Sequence, residues 1–291
     1  VLSVLGCGWS AQIEHPPADS LSRERVEGVC IAALPVRRAG RFGDTLRMGA
    51  RPDFDARAAR YDAIRPQNAV WWRRFDALVE HGDLRGRRVL DVGCGTGALA
   101  AALAERAGAR VWGVDPSERM LEVARSRVPR GVGLKPGHAE ALPFKNGWFE
   151  RVVMSLVVHL VDRRRAFAEA RRVLTADGRL VIATFDHSHF DHYWAARFFP
   201  SLANVDRRRF PDGGRLRAEL QGAGFRSVSE VPLPDVEVLE RATALDRLRG
   251  RHISTFDLLD EDEIRAGIAQ AERELPERVE SPLEQLVVVA S

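Results

Sequence analysis

The chain has 291 residues, 45% of them hydrophobic, and its 44 basic side chains against 41 acidic ones leave a formal net charge of only +3. That length and apolar share allow a large core, in one big domain or two small ones, and no run approaches the eighteen apolar residues of a membrane span. Three cysteines, Cys7, Cys30 and Cys94, make neither a disulfide scaffold nor a CxxC metal pattern, so a reducing, cytoplasmic setting is expected. Lysine occurs only at Lys135 and Lys145, and the arginine runs at 162–167 and 206–210 are isolated patches. A solvated, ion-paired surface accounts for them better than a nucleic-acid footprint does.

Residues 1–49 carry no sustained period and mix Pro, Gly, Ser and charge. The expectation there is a flexible or non-native extension, with the working protein starting near Met48; a small arm packed on the domain is the alternative. From Asp53, "DFDARAARYDAI" takes on helical spacing. "AVWWRRFDALVEHG" predicts a helix with Val70, Trp71, Phe75, Leu78 and Val79 on one side. "RVLDVG" is a short buried strand, and "ALAAALAERAG" a helix of strong formers closed near Gly108. "RVWGVD" is the second strand, ending at Asp115, and "PSERMLEVARSRV" a helix opened by Pro and Ser. "GVGLKPG" gives a weak third strand and "RVVMSLVVH" a fourth that runs into a turn. A helix over "RRRAFAEARRVLTADG", ended at Gly178, precedes a fifth strand, "RLVIATF". "GGRLRAELQGAG" is a helix, "FRSVSEVPL" the sixth strand and "LEQLVVVAS" the seventh. Strands alternating with helices of this length imply an α/β fold, mainly parallel and covered on both faces. The stretches 186–211 and 236–283, with 50–66, are left over. They are expected to form a helical cap on one domain spanning 50–291, since ligands bind beyond the strand C-terminal ends.

The loop "RVLDVGCGTGALA" between the first strand and its helix places Gly93, Gly95 and Gly97 where a tight turn and a close ligand approach exclude Cβ atoms. Such a loop suits an adenine nucleoside cofactor, either a dinucleotide or a methyl donor; a plain glycine turn is the bland alternative. Asp115 closes the next strand and can take both ribose hydroxyls or cap the following helix. A dinucleotide needs a helix N-terminus for its pyrophosphate, whereas a sulfonium donor favours nearby carboxylate, and Asp91 supplies one.

"VLDVGCGTGALAAALA", "VWGVDPSERMLEVAR" and the run from Gly137 to Phe185 that opens "GHAEALPFKNGWFE" resemble, in order, the motifs of the class I S-adenosylmethionine-dependent methyltransferases. The resemblance covers about residues 55–231 and is nearest the small-molecule group that includes the ubiquinone and menaquinone type. It implies a Rossmann-like seven-stranded mixed sheet with the last strand antiparallel, and S-adenosyl-L-methionine as cofactor. It puts Gly93, Gly95 and Gly97 under the methionine and ribose, and has Asp91 orient the loop and the cofactor's amino end. Asp115 would hold the ribose, with Pro116, Ser117 and Met120 flanking the adenine. His138, Ala139 and Glu140 would line the adenine rim, and Ser155 would face the methionine portion. Relatives usually carry aspartate where this chain has His138; a neutral imidazole can still accept from the adenine amino group.

Methyl transfer from a sulfonium needs alignment, exclusion of water and sometimes a base, but no metal. His159, after the fourth strand, is the candidate base, with a packing role as the alternative. Tyr61 and Arg65 look like a segment that closes over the cofactor, with Arg65 meeting its carboxylate or an anionic substrate. "FDHSHFDHYW" matches no metal-ligand spacing; it predicts instead an acceptor-pocket wall of His189, His192, Tyr193 and Trp194. The expected partner is a small molecule. A protein or RNA methyltransferase, or a non-catalytic scaffold that binds the cofactor, are the alternatives.

Overall fold

The computed structural model describes residues 52–291. The expectations for residues 1–49, including a start near Met48, lie outside the described residues. After a short helix α1 (Tyr61–Ile64) comes α2 (Ala69–Gly82). The alternating core follows as β1 (Arg88–Val92), α3 (Ala98–Arg106), β2 (Arg110–Asp115), α4 (Glu118–Arg127), β3 (Gly133–Pro136) and β4 (Phe149–Ser155). It continues with α5 (Arg163–Val173), β5 (Leu174–Phe185), α6 (His189–His192), α7 (Leu202–Arg209), α8 (Gly213–Gly222) and β6 (Val228–Glu240). The last elements are α9 (Arg241–Arg249), α10 (Glu261–Glu274) and β7 (Arg278–Ala290).

The seven strands form one sheet in the order β3-β2-β1-β4-β5-β7-β6. β1 to β5 run parallel, and β7 is antiparallel to both of its neighbours, as expected. Successive side chains of the central strands go to opposite faces and build two cores. On one face Val89, Val111, Val153 and Val181 meet Phe75 and Leu78 of α2 and Leu103 of α3. On the other, Leu90, Val152, Met154 and Leu180 meet Phe167 of α5 and Leu216 of α8. Central strands buried on both faces explain why "RVLDV" and "RVVMS" read as nearly unbroken apolar runs.

Two boundaries differ from the sequence expectation. The helix over 163–178 stops at Val173, because Leu174 already pairs with Phe149 of β4 across an irregular register. The cap stretch expected over 236–283 is shorter at both ends, because β6 and β7 continue their antiparallel pairing from Val228↔Ala290 out to Glu240↔Arg278. Their outer halves leave the sheet as a two-stranded ribbon.

That ribbon carries a canopy with its own core. Phe198, Phe199 and Leu202 pack there against Leu245, Phe256 and Ile264, and Leu239 and Val279 from the ribbon complete the cluster. Among the described residues, no helix is long and apolar enough to cross a membrane.

Among the described residues, five helices begin on a side-chain cap: Asn68, Ser117, Asp162, Asp212 and Asp260 each accept a backbone N–H of the first turn. Asn68 also donates to Glu237 Oε1 at 2.6 Å, tying the start of α2 to β6. Asn68→Ala loses both bonds. It is expected to lower stability by about 1–2 kcal/mol, measured by urea denaturation, with a change near zero excluding the capping role.

Candidate functional site

A cavity of about 900 Å³ opens at the C-terminal ends of β1, β2 and β4, beneath the canopy. This is the large end of the roughly 300–1,000 Å³ range of small-molecule sites. Its floor is the glycine loop. Gly93 has φ +71°, and a Cβ there would lie 2.5 Å from a methyl of Val157. Val157 is brought up by Leu156, which leaves β4 at φ +58°, a rare conformation for leucine. Gly95 is bare to the cavity, with nothing within 4 Å of an added Cβ. Gly97 does not line the cavity: its missing Cβ makes room for Ala124 and Val128, so its part is to seat α4 against the loop.

Asp115, 8% exposed, lines the wall with a fixed carboxylate. One oxygen accepts from Gly95 N and the other from Ser117 N, both at 2.9 Å. Each oxygen keeps acceptor capacity toward the cavity. The capping alternative for Asp115 falls away, since Ser117 Oγ takes the Met120 N–H that a cap would take. Burial pushes the Asp115 pKa up, against the pull of its two backbone donors. Asp91 lies beneath the floor and not in the wall. It is 1% exposed, and its Oδ2 has no hydrogen-bond partner. Burial, and then the nearby Asp115, raise its pKa to about 7.

Pro116, Met120, His138, Ala139, Glu140 and Ser155 all reach the cavity. Ser117 does not; its hydroxyl bonds Asp55 instead. Glu140 Oε1 accepts from Asp162 N at 2.9 Å.

Residues 52–66 run across the cavity as a strap, with Tyr61 and Arg65 facing in. On the loop side, Asp62 accepts from Thr96 Oγ1 at 2.7 Å and pairs with Arg127. On the canopy side, Arg57 pairs with Asp257, and Arg65 Nε donates to the His252 carbonyl at 2.9 Å. The strap thus ties the glycine loop to the canopy.

The far wall is aromatic and polar. His159 stacks on Phe210 at 4.0 Å, and its Nδ1 is buried without a partner. Burial, then Arg209 and Arg65, hold its pKa well below the ordinary histidine value, so the ring is neutral. His189 stacks on Phe185 at 4.3 Å, and burial lowers its pKa to about 4. Tyr193 Oη lies 2.7 Å from His252 Nε2, while His252 Nδ1 lies 3.0 Å from the Arg247 carbonyl. A carbonyl only accepts, so Nδ1 carries the proton and Tyr193 donates to Nε2. Trp194 also lines this wall. His192 does not: at the end of the four-residue α6 it points to solvent, and its expected place in the pocket is corrected. His187 is turned toward the Phe210 carbonyl, 2.8 Å away. Among the described residues, no group of three His, Cys, Asp or Glu side chains is placed to hold a metal ion.

Several wall residues escaped the sequence analysis. Asp206 is buried, accepts from Thr255 Oγ1 at 2.6 Å, and has its pKa raised to about 6 by burial. Nothing in "NVDRRRF" sets it apart from a solvated charge run. Arg74 was legible. It shares the inward stripe of α2 with Trp71, Phe75 and Leu78, and a charge on a buried stripe asks for a partner.

A family model described as "Methyltransferase domain" matches residues 90–182. A malonyl-[acyl-carrier protein] O-methyltransferase of Geobacter sulfurreducens is 38% identical over 201 residues, spanning 66% of this chain and 75% of that protein. A demethylmenaquinone methyltransferase of Renibacterium salmoninarum is 35% identical over 210 residues, spanning 62% of this chain and 86% of its own length. The fold resembles a solved putative methyltransferase from an antibiotic biosynthesis pathway of Anabaena variabilis, with a TM-score of 0.62 and 23% identity, covering 76% of this chain and 97% of that one.

Proposed function

Since this chain belongs to the class I S-adenosylmethionine-dependent methyltransferases, and so moves a methyl group from that cofactor to a small-molecule acceptor, we propose that the cavity under the canopy holds both at once. The observation that carries the assignment of the cofactor half is the Asp115 carboxylate. It is pinned by two backbone donors, yet open to the cavity, beside the bare backbone of Gly95. This fits a ribose diol. The unpartnered Oδ2 of Asp91 behind the loop fits a cationic amino end. His138, Ala139 and Glu140 form the adenine rim in this reading, with Pro116 and Met120 on the other side.

The bound cofactor supplies a methyl group already activated on a sulfonium. What remains for the protein is alignment and exclusion of water. The strap and canopy close the site, and Phe185, Phe190, Phe210 and Trp194 offer an apolar wall for the acceptor body. His159, neutral and with a free Nδ1, is proposed as the group that accepts a hydrogen bond or proton from the acceptor. The two relatives are named for different acceptors, a malonyl group on a carrier protein and a demethylmenaquinone, so neither molecule is carried over.

Calorimetric titration with S-adenosylmethionine, S-adenosylhomocysteine and NADH tests the assignment. Affinities in the micromolar range are expected for the two sulfur compounds and none for NADH. Binding of NADH alone would overturn it.

A further inference from the structure

S-Adenosylmethionine brings one carboxylate, but the cavity holds two arginines that form no salt bridge among the described residues. Five arginines reach its wall: Arg57, Arg65, Arg74, Arg165 and Arg247. Arg57 is paired with Asp257. Arg247 is gripped by both oxygens of Glu237, at 2.6 and 2.8 Å. Arg165 is exposed, where water screens it. Arg65 and Arg74 are half-buried, and their hydrogen bonds go to neutral groups. Arg65 Nε donates to the His252 carbonyl, and Arg74 Nη1 reaches Gln285 Oε1 at 3.3 Å. Each guanidinium has five N–H donors, so most of them are unmatched. Enclosure, and then the neighbouring Arg65, lower the Arg74 pKa to about 10. Enclosed cations are ordinarily paired, as Arg57 and Arg247 are here.

The two occupy different halves of the site. Arg74 borders Ser155 and Leu99, at the end of β4 and the start of α3, next to the glycine loop. Arg65 stands at the canopy side, bonded to His252 and close enough to act electrostatically on His159, Tyr193 and Asp206.

We infer that the acceptor carries an oxyanion, a carboxylate or a phosphate monoester, bound by Arg65, while Arg74 takes the cofactor's carboxylate. The inference rests on the methyltransferase assignment of the cavity and adds the class of acceptor: an acid with an apolar body lying against Phe185, Phe190 and Phe210. It also gives His159 a condition. An anion beside Arg65 offsets one of the charges that keep the imidazole from taking a proton, so His159 becomes more basic when the acceptor is in place.

The test uses protein saturated with S-adenosylhomocysteine and titrated with 3-phenylpropionate, 2-phenylethyl phosphate, 3-phenylpropanol and 3-phenylpropylamine. At least one of the two anions is expected to bind roughly tenfold or more tightly than the alcohol, the return for a charge-assisted bond in an enclosed site. The amine is expected to bind weakest. Which anion wins tells carboxylate from phosphate. Arg65→Gln should bring the anion down to the level of the alcohol, and Arg65→Lys should restore part of the preference, which separates lost charge from lost fold. Arg74→Gln should instead weaken S-adenosylhomocysteine itself. If the sulfur compound binds and neither anion outdoes the alcohol, or Arg65→Gln leaves the preference intact, the acceptor inference is overturned and the cofactor assignment stands. If S-adenosylhomocysteine fails to bind, both go together.

Discussion

Asp115→Ala is expected to weaken S-adenosylhomocysteine binding at least about a hundredfold, since two hydrogen bonds to a charged acceptor contribute roughly 1.5–3 kcal/mol each. In the proposed site the carboxylate is both scaffold and ligand. It ties Gly95 N to Ser117 N, so it sets the distance between the glycine loop and the start of α4, and it offers its remaining lone pairs to the cavity. Removing it would therefore loosen the loop as well as delete the proposed ribose contacts. Asp115→Asn separates the two roles. The amide oxygen can keep one backbone donor, so the loop is mostly held while the charge is gone, and an intermediate loss is expected. Calorimetry gives the affinities, and a thermal melt without ligand reports the loop contribution. An affinity within about threefold of the parent protein for Asp115→Ala would remove Asp115 from the site altogether.

The second large effect is a pH dependence centred on Asp91. Its pKa in the free protein stands at about 7 because the group is buried and faces Asp115. Below that pH the carboxyl carries a proton; above it the group is ionised. An ammonium or sulfonium brought near it favours the ionised form, so binding below pH 7 must expel the proton. Affinity for S-adenosylhomocysteine should then be full near pH 8 and fall by up to about tenfold for each pH unit below 7. Calorimetry in buffers of different ionisation heat should find about one proton released per ligand at pH 6 and close to none at pH 8. Asp91→Asn should bind more weakly and lose the dependence. Asp115→Asn should shift it to lower pH, because one cause of the raised pKa is removed. Proton uptake on binding, or a flat profile in the parent protein, would rule out Asp91 as the counter-charge.

The platform was legible because its signals are local. Short apolar runs, capped helices and a glycine loop all lie within a few residues of what they specify, and α2 and β2 fall on their predicted bounds. The part of the cavity proposed for the cofactor shares this quality, as Gly93, Gly95 and Asp115 line it from the C-terminal ends of β1 and β2. The acceptor half was read unevenly. Tyr193 and Trp194 line the cavity as expected, but His192, from the same ten-residue stretch, faces solvent, since a four-residue helix has no period by which to choose. Asp206 and His252 find their partners across the fold, Thr255 lying 49 residues from Asp206, and Tyr193 and Arg65 lying 59 and 187 residues from His252. No spacing announces such encounters. The true ends of α5 and β6 were missed for the same reason: Leu174 is a strand residue because Phe149 lies beside it, and β6 runs on to Glu240 because β7 is there to meet it.

The sheet order has a consequence for how the molecule is made. β6 has a single strand neighbour, β7, and β7 follows it in the chain. During synthesis, every residue of the canopy between Phe185 and Arg278 leaves the ribosome before the strand that joins it to the platform. β2 to β5 can pair as they emerge, each finding a neighbour already present, whereas β6 and its ribbon wait as an unpaired edge. Closing that gap is a long-range event, slow by nature and open to mispairing while it lasts. The floor of the cavity is thus built early and its roof late, and a nascent chain halted before Arg278 would carry the glycine loop without the enclosure that excludes water from it.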